Sequence, residues 1–108
     1  MIKNSKLVSM FLNGQIHGLL SNENMKVVEA SSKLMSYNIL IAQFAIDKDG
    51  LYLIINMSKY INKFVNIHRD LLISMIPDNF KYRIIYVEDV PHKSKDLRYF
   101  IKQNKLKS

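Results

Sequence analysis

The chain of 108 residues has the length of one domain, and its lack of cysteine excludes a disulfide framework, a thiolate nucleophile and a cysteine–zinc site. Hydrophobic residues make up 48% of it, which is enough for a packed core and excludes wholesale disorder. The formal net charge of +7 favours an acidic or polyanionic partner, although solubility alone would also explain it.

The first part of the chain is predicted to be rich in hairpins. Residues 1–6 are expected to form a short flexible lead, and residues 7–12 a strand. Asn13-Gly14 indicates a type I′ turn, because these two residues tolerate the positive φ that both central positions require. Further short strands are expected at 15–20, 25–29 and 34–37.

The longest strand candidate spans 38–46 and is apolar on both faces, which predicts a central strand covered on both sides. The residues from Asp47 to Gly50 are predicted to form a turn, with Gly50 in the left-handed conformation that closes a bulged hairpin. The return strand is expected over 51–55. This pair of strands is the predicted centre of the sheet.

One amphipathic helix is predicted from Ser58 to Ile76. Its apolar residues, among them Phe64 and Val65, recur at helical spacing, and its polar residues lie largely on the opposite face. Ser58 is the predicted N-cap, and Pro77 ends the helix because it lacks an N–H. The helix is expected to cover one face of the sheet.

A further strand is predicted over 80–87. Its alternation places Tyr82, Ile84 and Tyr86 on one face. The two tyrosines would either pack in the core against the helix or stack on nucleic-acid bases.

A short C-terminal helix of about ten residues is expected after Pro91, with Ser94 as its cap. A flexible basic tail over 105–108 would follow it. The apolar stripe of this helix consists of Leu97, Phe100 and Ile101.

The predicted fold class is α+β, with a single domain over 1–108. An antiparallel, hairpin-rich bent sheet or small open barrel packs against the amphipathic helix, and the short C-terminal helix completes the domain. No apolar run approaches the ~20 residues that cross a bilayer, so no membrane partner is expected. Free strand edges such as 7–12, together with the high apolar content, are compatible with a homodimer.

Sequence motifs give little support for an enzyme. His68 lies on the apolar face of the predicted helix, where it is either a general base or ligand, or a core-edge histidine bonded to a backbone carbonyl or a strand side chain. The zinc spacings H-x-x-x-H and H-E-x-x-H are absent, and His17 and His92 are isolated. Asp47 and Asp49 flank a lysine in a turn, which favours turn chemistry. We expect a non-enzymatic protein without metal or cofactor.

Cations concentrate near the C-terminus. Six cations and two carboxylates fall in the last 20 residues, which gives this stretch +4 of the net +7. A helical face of this kind could neutralise phosphates, with an aromatic ring available for stacking. A solvated face with a frayed lysine tail is the alternative. The predicted nucleic-acid or partner contacts are Lys95, Arg98, Tyr99, Lys102 and Lys105. A secondary basic face on the main helix would consist of Lys59, Lys63 and Arg69.

Residues spread over 7–76 resemble a family of small tailed-phage proteins described only as a domain of unknown function. The residues that carry the resemblance are Phe11-Leu12-Asn13-Gly14, Gly18, Asn22, Leu34, Ser36-Tyr37, Ile41-Ala42, Tyr52-Leu53-Ile54, Ser58-Lys59-Tyr60 and His68. The chain departs from the family over 60–64, where a hydroxyl-rich stretch is replaced. The resemblance implies a phage or phage-derived accessory protein in a bacterial cytoplasm, and it supplies no catalytic residue.

Three functions follow as hypotheses. The first is a non-enzymatic accessory protein that binds nucleic acid or a nucleoprotein complex through the basic C-terminal helix. The second is an inhibitor that binds an acidic surface of a host factor or defence complex. The third is a structural component of a virion.

Overall fold

The computed structural model describes residues 2–14, 20–28, 32–60 and 62–101. These residues form an α+β fold, the predicted class, in which an open mixed sheet carries two helices on one face. The elements in chain order are α1 (Asn4–Asn13), β1 (Leu20–Ser21), β2 (Met25–Val28), β3 (Lys33–Ser36), β4 (Ile39–Asp47), β5 (Gly50–Asn56), α2 (Lys63–Met75) and β6 (Arg83–Val87).

The strands lie in the sheet in the order of the sequence, from β1, which has only two residues, to β6. The pairs from β1 to β5 are antiparallel, and the predicted central strand and its return are present as β4 and β5. The antiparallel prediction is wrong for β6, which pairs parallel to β5 because α2 crosses between them. Since β1 and β6 are the two edges of the described sheet, closure into a barrel is not confirmed.

The strand predicted over 7–12 is wrong, because this stretch belongs to helix α1. The buried residues of α1 have helical spacing and are Leu7, Val8, Phe11 and Leu12. Gly14 has a φ of 64° and its N–H donates to two carbonyls of the last turn, so Asn13-Gly14 ends a helix and does not form a hairpin. Residues 7–12 therefore offer no strand edge to a second copy. The predicted return strand falls mostly on 15–19, outside the described residues.

Helix α2 begins later than predicted. Asn62 is the N-cap, and its side chain accepts the N–H of Phe64 at 2.9 Å. Ser58 is not a cap, because its hydroxyl accepts the N–H of Val90 at 2.8 Å and ties the loop before α2 to the chain after β6. The helix ends before Pro77, as predicted. Phe64, which was assigned to the apolar face, is 48% exposed at the first turn.

The two hairpins that flank β4 use different turn chemistry. A turn follows Asp47 as predicted, with Gly50 at a φ of 128° and the Asp47 carboxylate accepting the N–H of Asp49 at 2.7 Å. Asp47 pairs directly with Gly50 in a regular register, so the predicted bulge is not confirmed. The β3–β4 turn consists of Tyr37 and Asn38 at φ values of 48° and 65°. Positive φ at both central residues is the pattern of a type I′ turn.

Both faces of the sheet are covered, as the pattern of β4 predicts. Helices α1 and α2 cover one face and the segment 90–101 covers the other. The buried core between the sheet and the helices includes Phe11, Leu34, Ile41, Leu53, Val65 and Leu72. The buried core between the sheet and the C-terminal segment includes Leu40, Tyr52, Ile54, Val87, Val90 and Leu97.

The predicted C-terminal helix is not confirmed. Within the described residues this segment has only a 3₁₀ turn, Arg98–Phe100, and residues 102–108 lie outside them. Leu97 is fully buried and its N–H donates to the side chain of Gln43 at 2.7 Å, so contacts to the sheet rather than helical bonds set the path here. In the described part of the chain, neither helix is long and apolar enough to cross a membrane.

Candidate functional site

Three of the five predicted contact residues, Lys95, Arg98 and Tyr99, are described, and they do not share a face of one α-helix. Lys95 and Tyr99 lie on the segment that covers the sheet, and the side chain of Tyr99 is 73% exposed. The backbone carbonyl of Lys95 accepts a hydrogen bond from the buried Lys33 ammonium, so this part of the segment is fixed. Lys102 and Lys105 lie outside the described residues.

Arg98 is paired with Asp96. Its guanidinium donates to both carboxylate oxygens of Asp96, from Nη2 at 2.6 Å and from Nε at 3.0 Å. The Asp96 carboxylate also accepts the backbone N–H of Arg98 at 2.8 Å. These bonds from Arg98 hold the pKa of Asp96 well below its usual range, so Asp96 stays ionised and opposes the charge of Arg98, whose side chain is 63% exposed.

Gln43 of β4 anchors this same stretch. Its amide nitrogen donates to the Asp96 carboxylate at 3.1 Å, and its amide oxygen accepts the N–H of Leu97 at 2.7 Å. Gln43 is almost fully buried, and both ends of its side chain amide are thereby hydrogen bonded. The position of Arg98 relative to β4 is therefore well defined.

Aromatic side chains cluster between β4 and the chain entering β6, on the face of the sheet that the helices cover. The ring centroid of Phe44 lies 4.8 Å from that of Tyr82 and 6.5 Å from that of Phe80, and Phe80 and Tyr82 are 5.3 Å apart. Phe11 of α1 supports Phe44 from below, at 4.9 Å. Phe44, Phe80 and Tyr82 are only partly buried, so the cluster is the edge of the core and also a surface.

Two adjoining cavities open over this cluster and share Ser32, Phe44 and Tyr82 as lining residues. The first has a volume of about 470 Å³ and is also lined by Phe80 and Lys81. The second, of about 410 Å³, includes Arg98 in its lining. We call the two cavities together the aromatic groove. The residues that line it include Ser32, Phe44, Phe80, Lys81, Tyr82 and Arg98.

Lys81 places a cation at the aromatic groove. Its ammonium lies 5.5 Å from the ring centroid of Tyr82, within the range of a cation–π contact. Lys81 itself is exposed. The groove therefore has one lysine at Tyr82 and the Arg98–Asp96 pair in its second cavity.

The residues of the predicted secondary basic face differ in exposure. Lys59 is exposed, and Lys63 lies over the ring of Phe64 at 5.7 Å. The side chain of Arg69 is only 11% exposed, and its guanidinium donates to the backbone carbonyl of Ser58 at 2.9 Å. Arg69 therefore holds the loop before α2 and presents little charge to a partner.

His68 belongs to a buried polar cluster that joins α1, β3 and α2. Its Nδ1 lies 2.6 Å from the hydroxyl oxygen of Ser36, and its Nε2 lies 3.3 Å from the amide nitrogen of Asn4. The Asn4 carbonyl oxygen in turn accepts from Asn22 at 2.7 Å. The ring of Tyr37 stacks on the imidazole with a centroid distance of 5.8 Å. The bond to Ser36 confirms the core-edge alternative with a strand side chain as partner.

The contacts of His68 favour one tautomer. The Asn4 amide nitrogen, which can only donate, faces Nε2, and this arrangement suits a proton on Nδ1, directed at the Ser36 oxygen. An imidazole in this state cannot take a proton from the Ser36 hydroxyl, and Ser36 is fully buried. Burial lowers the pKa of His68, which keeps the neutral form.

Within the described residues, no group of three or more histidine and acidic side chains could hold a metal ion. His17 lies outside those residues, so a three-histidine site is not tested. A scan of family models found no family that matches the chain, and searches of curated proteins and of solved structures found no match either. The resemblance to the tailed-phage family therefore stays a prediction.

Sequence reasoning missed most of the aromatic groove. Tyr82 was considered as a stacking residue, but Phe44, Phe80 and Lys81 were not named. The run Phe80-Lys81-Tyr82, with a cation between two aromatic residues, was a visible signal. Its proximity to Phe44 could not be read from the chain, because it depends on the parallel pairing of β6 with β5.

Proposed function

We propose that this chain is a non-enzymatic accessory protein that binds nucleic acid, or a nucleoprotein complex, through the aromatic groove and the cations around it. The observation that supports the proposal is the combination of partly exposed rings with Lys81 and Arg98 at one end of the sheet. Proteins that bind nucleic acid combine cations for phosphates with aromatic rings for bases. The resemblance to tailed-phage proteins would place this activity in a bacterial cytoplasm.

The proposal changes the contact set that the sequence suggested. Arg98 is retained, and Tyr99 is exposed next to it on the same 3₁₀ turn. Lys81 is added, because it lies at Tyr82 in the groove. The net charge of +7 would draw a polyanion toward the chain as a whole, and the groove would give the contact its position.

The test is a salt titration of binding to a fluorescently labelled oligonucleotide, followed by anisotropy. Affinity should fall steeply with added salt, and Lys81→Gln should reduce the slope of log K against log salt by about 0.7, the contribution of one phosphate contact on a single strand. Asp96→Asn should raise affinity, because it removes the carboxylate that offsets Arg98 while keeping an oxygen acceptor.

The matched control is Lys6→Gln. Lys6 is also exposed, but it lies near the start of α1 and lines neither cavity of the groove. This variant should leave the salt slope unchanged. Absence of binding at low salt, or equal losses for Lys81→Gln and Lys6→Gln, would contradict the proposed site.

A further inference from the structure

We infer that the aromatic groove takes an unpaired base, so that the chain prefers single-stranded nucleic acid to a duplex. This inference rests on the proposed function and specifies the ligand of the same site. It goes beyond charge, because it assigns Phe80 and Tyr82 the role of a stacking surface.

The aromatic rings of the groove pack on one another, and Phe11 of the core packs behind them. Phe44 is held between Phe11 of the core and Tyr82, at centroid distances of 4.9 and 4.8 Å. Phe80 and Tyr82 are partly buried and line the first cavity, 5.3 Å apart and tilted by 40°. A ring held in place by its neighbours loses little entropy when a flat ligand stacks on it, which favours binding.

The space in front of the rings suits a base. The first cavity, of about 470 Å³, lies within the range of small-molecule pockets, and its lining includes Phe80, Lys81 and Tyr82. Every base has a π-face, so stacking here would be tolerant of sequence. In a duplex the faces of the bases are covered by their neighbours, and only phosphates and groove edges remain for contact.

The described helices do not offer a surface for a duplex groove. Helix α1 carries one cation, Lys6. Helix α2 carries two, of which Lys63 lies over Phe64 and Arg69 is turned to the carbonyl of Ser58. Neither 4–13 nor 63–75 therefore presents a row of cations to the phosphates on either side of a major groove.

Each cavity of the groove has a cation in its lining. Lys81 is in the first cavity, and Arg98 lines the second, which shares Tyr82 with the first. A base stacked at Tyr82 would have a phosphate before it and one after it. Cations in both cavities could meet these two phosphates while the ring holds the base between them.

The experiment compares three labelled probes at one low salt concentration: a deoxythymidine oligonucleotide, the same oligonucleotide with abasic positions, and a duplex of equal length. The base-carrying single strand should bind on the order of tenfold more tightly than the abasic one, the effect of one stacked base. The duplex should bind more weakly than the base-carrying strand. Equal affinity for base-carrying and abasic strands would overturn the inference.

Two ring variants separate stacking from charge. Tyr82→Leu keeps apolar bulk and should remove the difference between the base-carrying and abasic strands, whereas Tyr82→Phe should preserve it. Lys81→Gln should weaken all three probes by a similar factor. If Lys81→Gln weakens them and Tyr82→Leu does not alter the difference, the proposed function stands and base stacking fails. If no probe binds, both fail.

Discussion

The two ends of β4 use polar and aromatic side chains in opposite ways. At its start, next to the β3–β4 turn, both ring nitrogens of His68 are hydrogen bonded and only 4% of the residue is exposed. Toward its end, Phe44 lies under Phe80 and Tyr82, and open cavities adjoin the rings. The polar side chains of the first region are buried and bonded to one another, whereas the aromatic side chains of the second line cavities at the surface.

The difference between the two regions favours the partly exposed rings, and not the buried histidine, as the residues that bind a ligand. A histidine and a serine at 2.6 Å attract attention by their chemistry, yet their hydrogen bonds are used within the fold. Partly exposed rings look like ordinary core edge, yet they border space that a ligand can occupy.

Removing the imidazole should strongly destabilise the fold. His68→Ala would leave a cavity and would orphan the Ser36 hydroxyl and the Asn4 amide, for a loss of about 3 kcal/mol in the free energy of unfolding. Urea unfolding would measure it. Oligonucleotide binding by the fraction that stays folded should be unchanged. A stable variant that has lost binding would make His68 part of the binding site.

The stability of the polar cluster should depend on pH. Burial lowers the pKa of His68 below its ordinary 6.5, so below that pH the unfolded chain takes up a proton that the folded chain does not. The free energy of unfolding should therefore fall as the pH decreases through 6.5, until the pKa of the folded state is reached. A second proton on Nε2 would also face the Asn4 amide nitrogen, whose oxygen partner is held by Asn22.

The pH effect is isolated by comparing the parent chain with His68→Gln over the same range. His17 and His92 are present in both chains, so the difference between the two profiles belongs to His68. If the two profiles are parallel, burial does not set the protonation of this residue.

Local signals predicted the centre of the fold and misassigned its beginning. The apolar run of β4 and the Asp47–Gly50 turn are determined by neighbouring residues, and both were predicted. The stretch 7–12 is a short apolar run that fits either a strand or a helix. Asn13-Gly14 favours both a type I′ turn and a helix C-terminus, because both use positive φ.

The candidate site depends on contacts that are distant in sequence. Gln43 fixes the path at Leu97, and without that knowledge the C-terminal segment was predicted to be a helix. Phe44 meets Tyr82 only because β6 pairs with β5 in parallel register. Charge and composition could suggest a polyanion as partner, but the place of contact required the fold.

The rings of the groove should matter much less for stability than His68. Tyr82 is partly buried, so Tyr82→Leu should lower the free energy of unfolding by only about 1 kcal/mol, mainly through lost ring contacts. Urea unfolding alongside His68→Ala gives the comparison directly. A loss as large as that of His68→Ala would make the aromatic cluster core rather than surface, and the two ends of β4 would then be alike.

The smallest expected effect concerns the turn beside the polar cluster. Asn38 has a φ of 65° and is exposed, so Asn38→Gly should raise the free energy of unfolding by about 0.5 kcal/mol by relieving the left-handed backbone. Asn38→Ala is the matched variant and should lower it by about 1 kcal/mol, because alanine tolerates this conformation less well than asparagine. The opposite signs are the readout in urea unfolding. Equal changes would mean that the turn does not hold a positive φ, and the stacking of Tyr37 on His68 would lose its geometric basis.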